Sequence, residues 1–214
     1  MNKIAIKIEN LVVNFQKQNI INNFSLTLNQ GEKIILTGHS GCGKTTILRT
    51  LLGFTPISRG EIYVNGTQLS EDNCWEIRKQ FAYVSQAPFT GFGTAKEFLM
   101  APFKFKANQH LNISNDIILK YMMKFHLKEE LLNKNSDELS GGEKQRFAII
   151  GAILLNKKIF LLDEPTAALD KRNRKAFNDY LLKNSDFSAI IITHDDEIIQ
   201  NSTKVIDMTG GQNV

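Results

Sequence analysis

Two rhythms of apolar and polar residues run through this 214-residue chain. The first is alternation. Ile4, Ile6 and Ile8 alternate with polar neighbours, as do Leu26 and Leu28, so segment 1–30 reads as strands with one covered face. Segment 61–64 alternates as well and ends at Asn65-Gly66, a dipeptide suited to a two-residue hairpin turn. Runs 34–37, 81–85, 159–162 and 189–193 are instead apolar almost throughout, as expected of strands buried on both faces of a parallel sheet. The second rhythm is helical. Segment 45–52 places Ile47, Leu48, Leu51 and Leu52 on one face and stops at Gly53, a natural terminator. Segment 88–153 has helical spacing, contains Pro88 and Pro102 and shows no convincing strand. It reads as a mainly helical lobe inserted between runs 81–85 and 159–162. No internal repeat or disordered linker interrupts the pattern.

Composition narrows this picture without changing it. With 42% hydrophobic and 22% charged residues, the chain can bury one core, or one core and a smaller inserted lobe. Lys plus Arg exceed Asp plus Glu by 26 to 22. That suits an anionic ligand but is too small to argue for nucleic acid. Cys42 and Cys74 form no CxxC pair and match no zinc spacing, so they read as free thiols of a reducing compartment. His39, His110, His126 and His194 are not spaced as metal ligands. The alternation at Ile4, Ile6 and Ile8 reads as a strand, not a signal peptide. The longest apolar run, 147–155, is about half of what a bilayer crossing needs.

Candidate chemistry gathers at the ends of the four buried runs. Each is followed at once by a residue capable of chemistry: Gly38 onward, Gln86, Asp163-Glu164 and His194. Ligands of open parallel sheets bind outside the carboxyl ends of the strands, so these four ends imply one shared site. Gly38, His39, Ser40, Gly41, Cys42, Gly43, Lys44 and Thr45 fit G-x-x-x-x-G-K-[ST] between a strand and a helix. The glycines let backbone N–H groups turn inward at phosphate oxygens, and the helix adds its positive end. Lys44 suits the β- and γ-phosphates and the Thr45 hydroxyl suits Mg²⁺. A chance match in a chain of this length is roughly a 1-in-100 event. Farther along, Ser140 and Glu143 form a capping box, which starts a helix with free N–H groups, and Gly141 and Gly142 keep that start clear of side chains.

Leu139-Ser140-Gly141-Gly142-Glu143, followed by Lys144-Gln145-Arg146, resembles the signature motif of ABC ATPases. Other motifs of that family follow in order. Gln86 resembles the Q-loop glutamine, residues 159–164 the Walker B strand, Asp170 the D-loop aspartate and His194 the switch histidine. Phe15 stands where the family stacks an aromatic on adenine, though tyrosine is commoner there. The resemblance spans essentially the whole chain. It implies an α/β fold: a P-loop NTPase (RecA-like) core with an N-terminal antiparallel β subdomain and an inserted α-helical subdomain. The core and β subdomain take residues 1–87 and 154–214, and the signature-bearing helical subdomain takes 88–153.

The resemblance also implies the parts of an ATPase site. ATP is held by Phe15, by the loop from Gly38 to Thr45 and by Thr46; Thr45, Gln86 and Asp163 take Mg²⁺; and Glu164, His194, Gln86 and Lys44 are catalytic. Glu164 is the carboxylate often lost in inactive members. Leu139, Ser140, Gly141, Gly142 and Glu143 would act in trans, in a head-to-tail homodimer that sandwiches two ATP molecules. The implied partner is an integral membrane transporter subunit, with this chain peripheral on the cytoplasmic face of the membrane and no nucleic acid involved. Aromatics after Gln86 (Phe89, Phe92, Phe98, Phe103 and Phe105) read mostly as core of the helical lobe, with Phe89 and Phe92 as a docking patch. Segments 85–99 and 139–149 are similar to short subunits proposed for bacterial iron or metal export. A soluble ABC ATPase of DNA repair or translation is the alternative. The chain lacks the coiled coil, zinc insertion or second cassette expected of those types.

Overall fold

The computed structural model describes residues 3–15, 18–88, 91 and 93–209. Phe89 and Phe92 lie outside them. Two sheets organise the described chain. The first is antiparallel and joins β1 (Ile4–Phe15), β2 (Gln18–Asn29), β4 (Arg59–Val64) and β5 (Thr67–Gln68) in the order β2-β1-β4-β5. The β4–β5 hairpin turns at Asn65-Gly66, and both residues carry the positive φ its geometry needs.

The second sheet is parallel. It holds β3 (Lys33–Thr37), β6 (Phe81–Val84), β7 (Ile159–Asp163), β8 (Ser188–Ile192) and β9 (Lys204–Asp207) in the order β6-β7-β8-β3-β9. The four apolar runs are its four adjoining strands, and their composition follows from the layering. Ile34 and Leu36 of β3, Ile159 and Leu161 of β7, and Ile190 and Ile192 of β8 pack into one core with β1, β2, α1 (Lys44–Leu51) and Ile77 of α2 (Cys74–Arg78). Ile35, Phe160, Leu162, Ala189 and Ile191 point the other way, into a second core. That core is built with α3 (Ala95–Met100), α4 (Asn115–Lys124), α5 (Gly141–Leu154) and α6 (Lys171–Lys183). A strand covered on both sides has no position for a polar side chain, which removes the alternation.

Two edges depart from the expectation. Tyr83 of β6 is exposed because β6 borders only β7. β9 adds a fifth strand beside β3, with alternating partial exposure in place of a continuous apolar run. Between β6 and β7 the described chain is helical: α3, α4, α5 and short 3-10 turns. Its one extended contact is an isolated bridge between Thr94 and Asn135. Phe103 is buried and Phe98 packs against the second core, whereas Phe105 is exposed. Cys42 and Cys74 are free thiols. Among the described residues no helix is long and apolar enough to cross a membrane.

Candidate active site

β3, β6, β7 and β8 release their carboxyl ends on one side of the parallel sheet, where a cleft of about 600 Å³ opens. Ser40, Gly41, Gly43, Lys44, Thr45 and Thr46 line it, with Gln86 after β6, Asp163 and Glu164 at the end of β7, and His194 after β8. All four strand ends picked out in the sequence therefore meet.

The phosphate-type loop is wound as its residues dictate. Gly43, the N-cap of α1, has φ 98, and any Cβ there would strike Ile21 of β2. Lys44 Nζ folds back across the loop, donating to the carbonyls of Gly38 at 2.7 Å and His39 at 3.0 Å, and lies 3.7 Å from Cys42 Sγ. The loop thus encloses a cation above the N-terminus of α1. An anion there would meet the lysine and the helix end together.

The carboxylates stand opposite. Asp163 is 4% exposed and accepts the Thr45 hydroxyl at 3.0 Å. Burial pushes its carboxyl above the usual range, against the Thr45 hydrogen bond and the Lys44 charge. Glu164 has φ 47, a conformation rare outside glycine and asparagine, and its N–H donates to the Ile192 carbonyl at 2.9 Å. That bond to the neighbouring strand end holds the strained backbone that aims its side chain into the cleft. Burial also raises the Glu164 carboxyl, while the His194 charge pulls it back. The His194 ring nitrogen Nε2 lies 3.4 Å from Glu164 Oε1.

The donors fit a magnesium ion. A hydroxyl, a carboxylate and the Gln86 amide are hard oxygen ligands, and Mg²⁺ is characteristically held by one or two carboxylates plus substrate phosphates. No three His, Cys, Asp or Glu side chains converge into a metal cage among the described residues. One consequence concerns stability. Asp163 keeps its proton to higher pH in the folded chain than in the unfolded one, so above the ordinary carboxylate range its ionisation costs the fold. Asp163→Asn, which keeps an acceptor for Thr45, is expected to raise the nucleotide-free Tm. A lower Tm in calorimetry would contradict this.

Other predicted residues stand outside the cleft lining. Phe15, at the end of β1, is 62% exposed. Ser140 caps α5 with the expected box: its N–H donates to Glu143 Oε2 at 2.8 Å, and its Oγ accepts the Glu143 N–H at 3.3 Å. Leu139 is buried, and a Cβ on Gly142 would lie 2.8 Å from the Ala168 carbonyl. Gly142 therefore has a packing duty within the chain as well as an open face. Asp170 caps α6, and the Asn173 N–H, donating at 2.8 Å, holds its carboxyl below the usual range. Leu139, Ser140, Gly141, Gly142, Glu143 and Asp170 do not join the cleft formed by their own chain.

Sequence reasoning missed Thr166, Arg174 and Asp195 in the lining. Arg174 Nε stands 3.6 Å from Asp195 Oδ2, and Asp195 caps α7 (Asp196–Asn201) directly after His194. Asp195 follows His194 in sequence, so its place was within reach. Arg174 comes from α6, a helix the apolar pattern did not announce.

Comparison with known proteins agrees with this geometry. Residues 21–167 match the family model described as ABC transporter. The chain is 32% identical over 192 residues to the "Probable iron export ATP-binding protein FetA" of Escherichia coli (strain K12), covering 88% of this chain and 84% of that protein. It is 33% identical over 219 residues to the energy-coupling factor transporter ATP-binding protein EcfA1 of Ureaplasma parvum serovar 3, covering 98% of this chain and 72% of that protein. The fold is similar to a dimeric post-hydrolysis state of the ATP-binding cassette MJ0796 bound to ADP and Pi. There the TM-score is 0.84 and the identity 26%, over 96% of this chain and 95% of the other. On motif order, cleft and matched length alike, the chain belongs to the ABC transporter family.

Proposed function

We propose that the chain is the ATP-binding and ATP-hydrolysing subunit of a bacterial ABC transporter and drives transport through a separate membrane subunit. The observation that carries this is the convergence of loop, carboxylates, Gln86 and His194 on one cleft, with the signature residues left outside it. ATP is the substrate. Lys44 and the loop N–H groups hold its phosphates, and Phe15 offers an exposed aromatic face for its base. Thr45, Asp163 and Gln86 would hold Mg²⁺, which when bound neutralises charge on the β- and γ-phosphates. Glu164, its carboxyl raised above the usual range by burial, takes the proton of the attacking water. His194, beside that carboxylate, steers it, and Gln86 holds the water from the β6 end.

The site is half built. Ser140, Gly141 and Gly142 present a capped helix N-terminus whose first two residues carry no side chains, a phosphate-binding feature that its own chain does not use in the cleft. A second copy docked head to tail brings that terminus over the Lys44 loop and sandwiches two ATP molecules. Residues 1–87 and 154–214 then act as the catalytic core with its β subdomain, and 88–153 as the helical subdomain that delivers the signature. Likeness to FetA supports export of iron or another metal ion as the work performed, with the chain held on the cytoplasmic face by its membrane partner. The ATPase rate per chain is expected to rise with protein concentration from the nanomolar to the micromolar range. A per-chain rate independent of concentration would rule out the composite site.

A further inference from the structure

Gln145 lies one turn inside α5, 1% exposed, in a helix whose next buried residues are Phe147, Ile149 and Ile150. A buried amide costs stability unless its hydrogen bonds are made. Those of Gln145 are half made. Its Nε2 donates to the Ser85 carbonyl at 3.4 Å, a long bond, and its Oε1 is buried with no partner. Methionine of equal length would fill the same space without an orphaned carbonyl.

Ser85 identifies the duty that retains the amide. It immediately precedes Gln86 in the chain, and its hydroxyl donates to the Ala87 carbonyl at 3.0 Å, so it organises the turn on which Gln86 is carried. At the other end of the same helix turn stands Ser140, the cap of the signature segment. Gln145 is therefore a polar bridge between the helix end that meets the partner's nucleotide and the loop that enters the chain's own cleft.

We propose that Gln145 is a positioning residue that ties the Gln86 backbone to α5, so that seating α5 on the partner's ATP sets where Gln86 stands in its own site. The proposal rests on the reading of Gln86 and the signature given above. The long Ser85 bond biases the loop without clamping it. The unpaired Oε1 lets the same amide follow the loop into a second arrangement by accepting one of its N–H groups.

A double-mutant cycle tests this on the full chain: wild type, Gln145→Met, Gln86→Ala and the pair, with steady-state ATPase and Tm measured for each. Gln145→Met is expected to lower kcat about tenfold or more, with KM for ATP within about twofold and Tm unchanged or raised. In the Gln86→Ala background the same change is expected to cost less than about twofold, because the group it positions is gone. Equal losses in both backgrounds, or no loss in the wild type, overturn the proposal. If Gln145→Met does not fold, Gln145→Asn gives the same cycle, since its amide falls one methylene short of Ser85. A wild-type chain with no ATPase activity would overturn the hydrolase reading instead, so the two failures are distinct.

Discussion

Glu164→Gln is expected to lower kcat for ATP hydrolysis by about 10²–10⁴-fold while ATP affinity stays within a few-fold. The amide keeps the size of the side chain, so the strained backbone at φ 47 and its bond to the Ile192 carbonyl are retained. Proton acceptance is lost. Nucleotide affinity comes from Lys44 and the loop, which the substitution does not touch. The wild-type pH profile carries a second signature of the same assignment. Burial raises the Glu164 carboxyl, so the base is protonated and idle at pH values where an ordinary carboxylate would work, and the rate climbs as pH rises through that raised value. The His194 charge holds the value down, so His194→Ala is expected to move the acid limb to higher pH. Undiminished turnover in Glu164→Gln, or an acid limb displaced downward in His194→Ala, would remove Glu164 from the role of base.

How much of this could be read from residues alone depended on the length over which the physics acts. The two-faced burial of β3, β7 and β8 was legible, because covering a strand on both sides forces an unbroken apolar run. The capping box at Ser140 and the hairpin at Asn65-Gly66 were legible because both are settled within a few residues. β9 was not. An edge strand covered on one side leaves only weak alternation, here Val205 and Asp207 exposed between half-buried neighbours. α6 was hidden too: Phe177 and Leu181 are its large buried apolar residues, and most of the rest is polar. Arg174 was lost with it. The positive φ of Glu164 depends on a neighbouring strand end, and the approach of Gly142 to the Ala168 carbonyl depends on where α5 lands. Both arise between segments distant in sequence, where pattern carries no information.

Lys44→Ala and Gly141→Asp are each expected to be inactive alone and active when mixed. The choice of Gly141 follows from packing. A Cβ there meets only the Ala168 Cβ, at 4.0 Å, whereas one on Gly142 would press on the Ala168 carbonyl at 2.8 Å. Aspartate in the first turn of α5 also suits the helix dipole, so the chain should fold. Its charge sits where a nucleotide phosphate must approach and repels it. Removing the Lys44 ammonium empties the opposite jaw, at a cost of about 10²–10³-fold or more. In a mixed head-to-tail dimer one site pairs the intact loop of one chain with the intact signature of the other, and the second site carries both lesions. Random association of equal amounts makes half of the dimers mixed, each with one of its two sites whole, so recovery has a ceiling of about one quarter of the wild-type rate. A site completed within one chain predicts no recovery at all. If the mixture never exceeds the sum of its separate components, the signature helix is not acting across the dimer, and the cleft at Lys44 must be complete on its own.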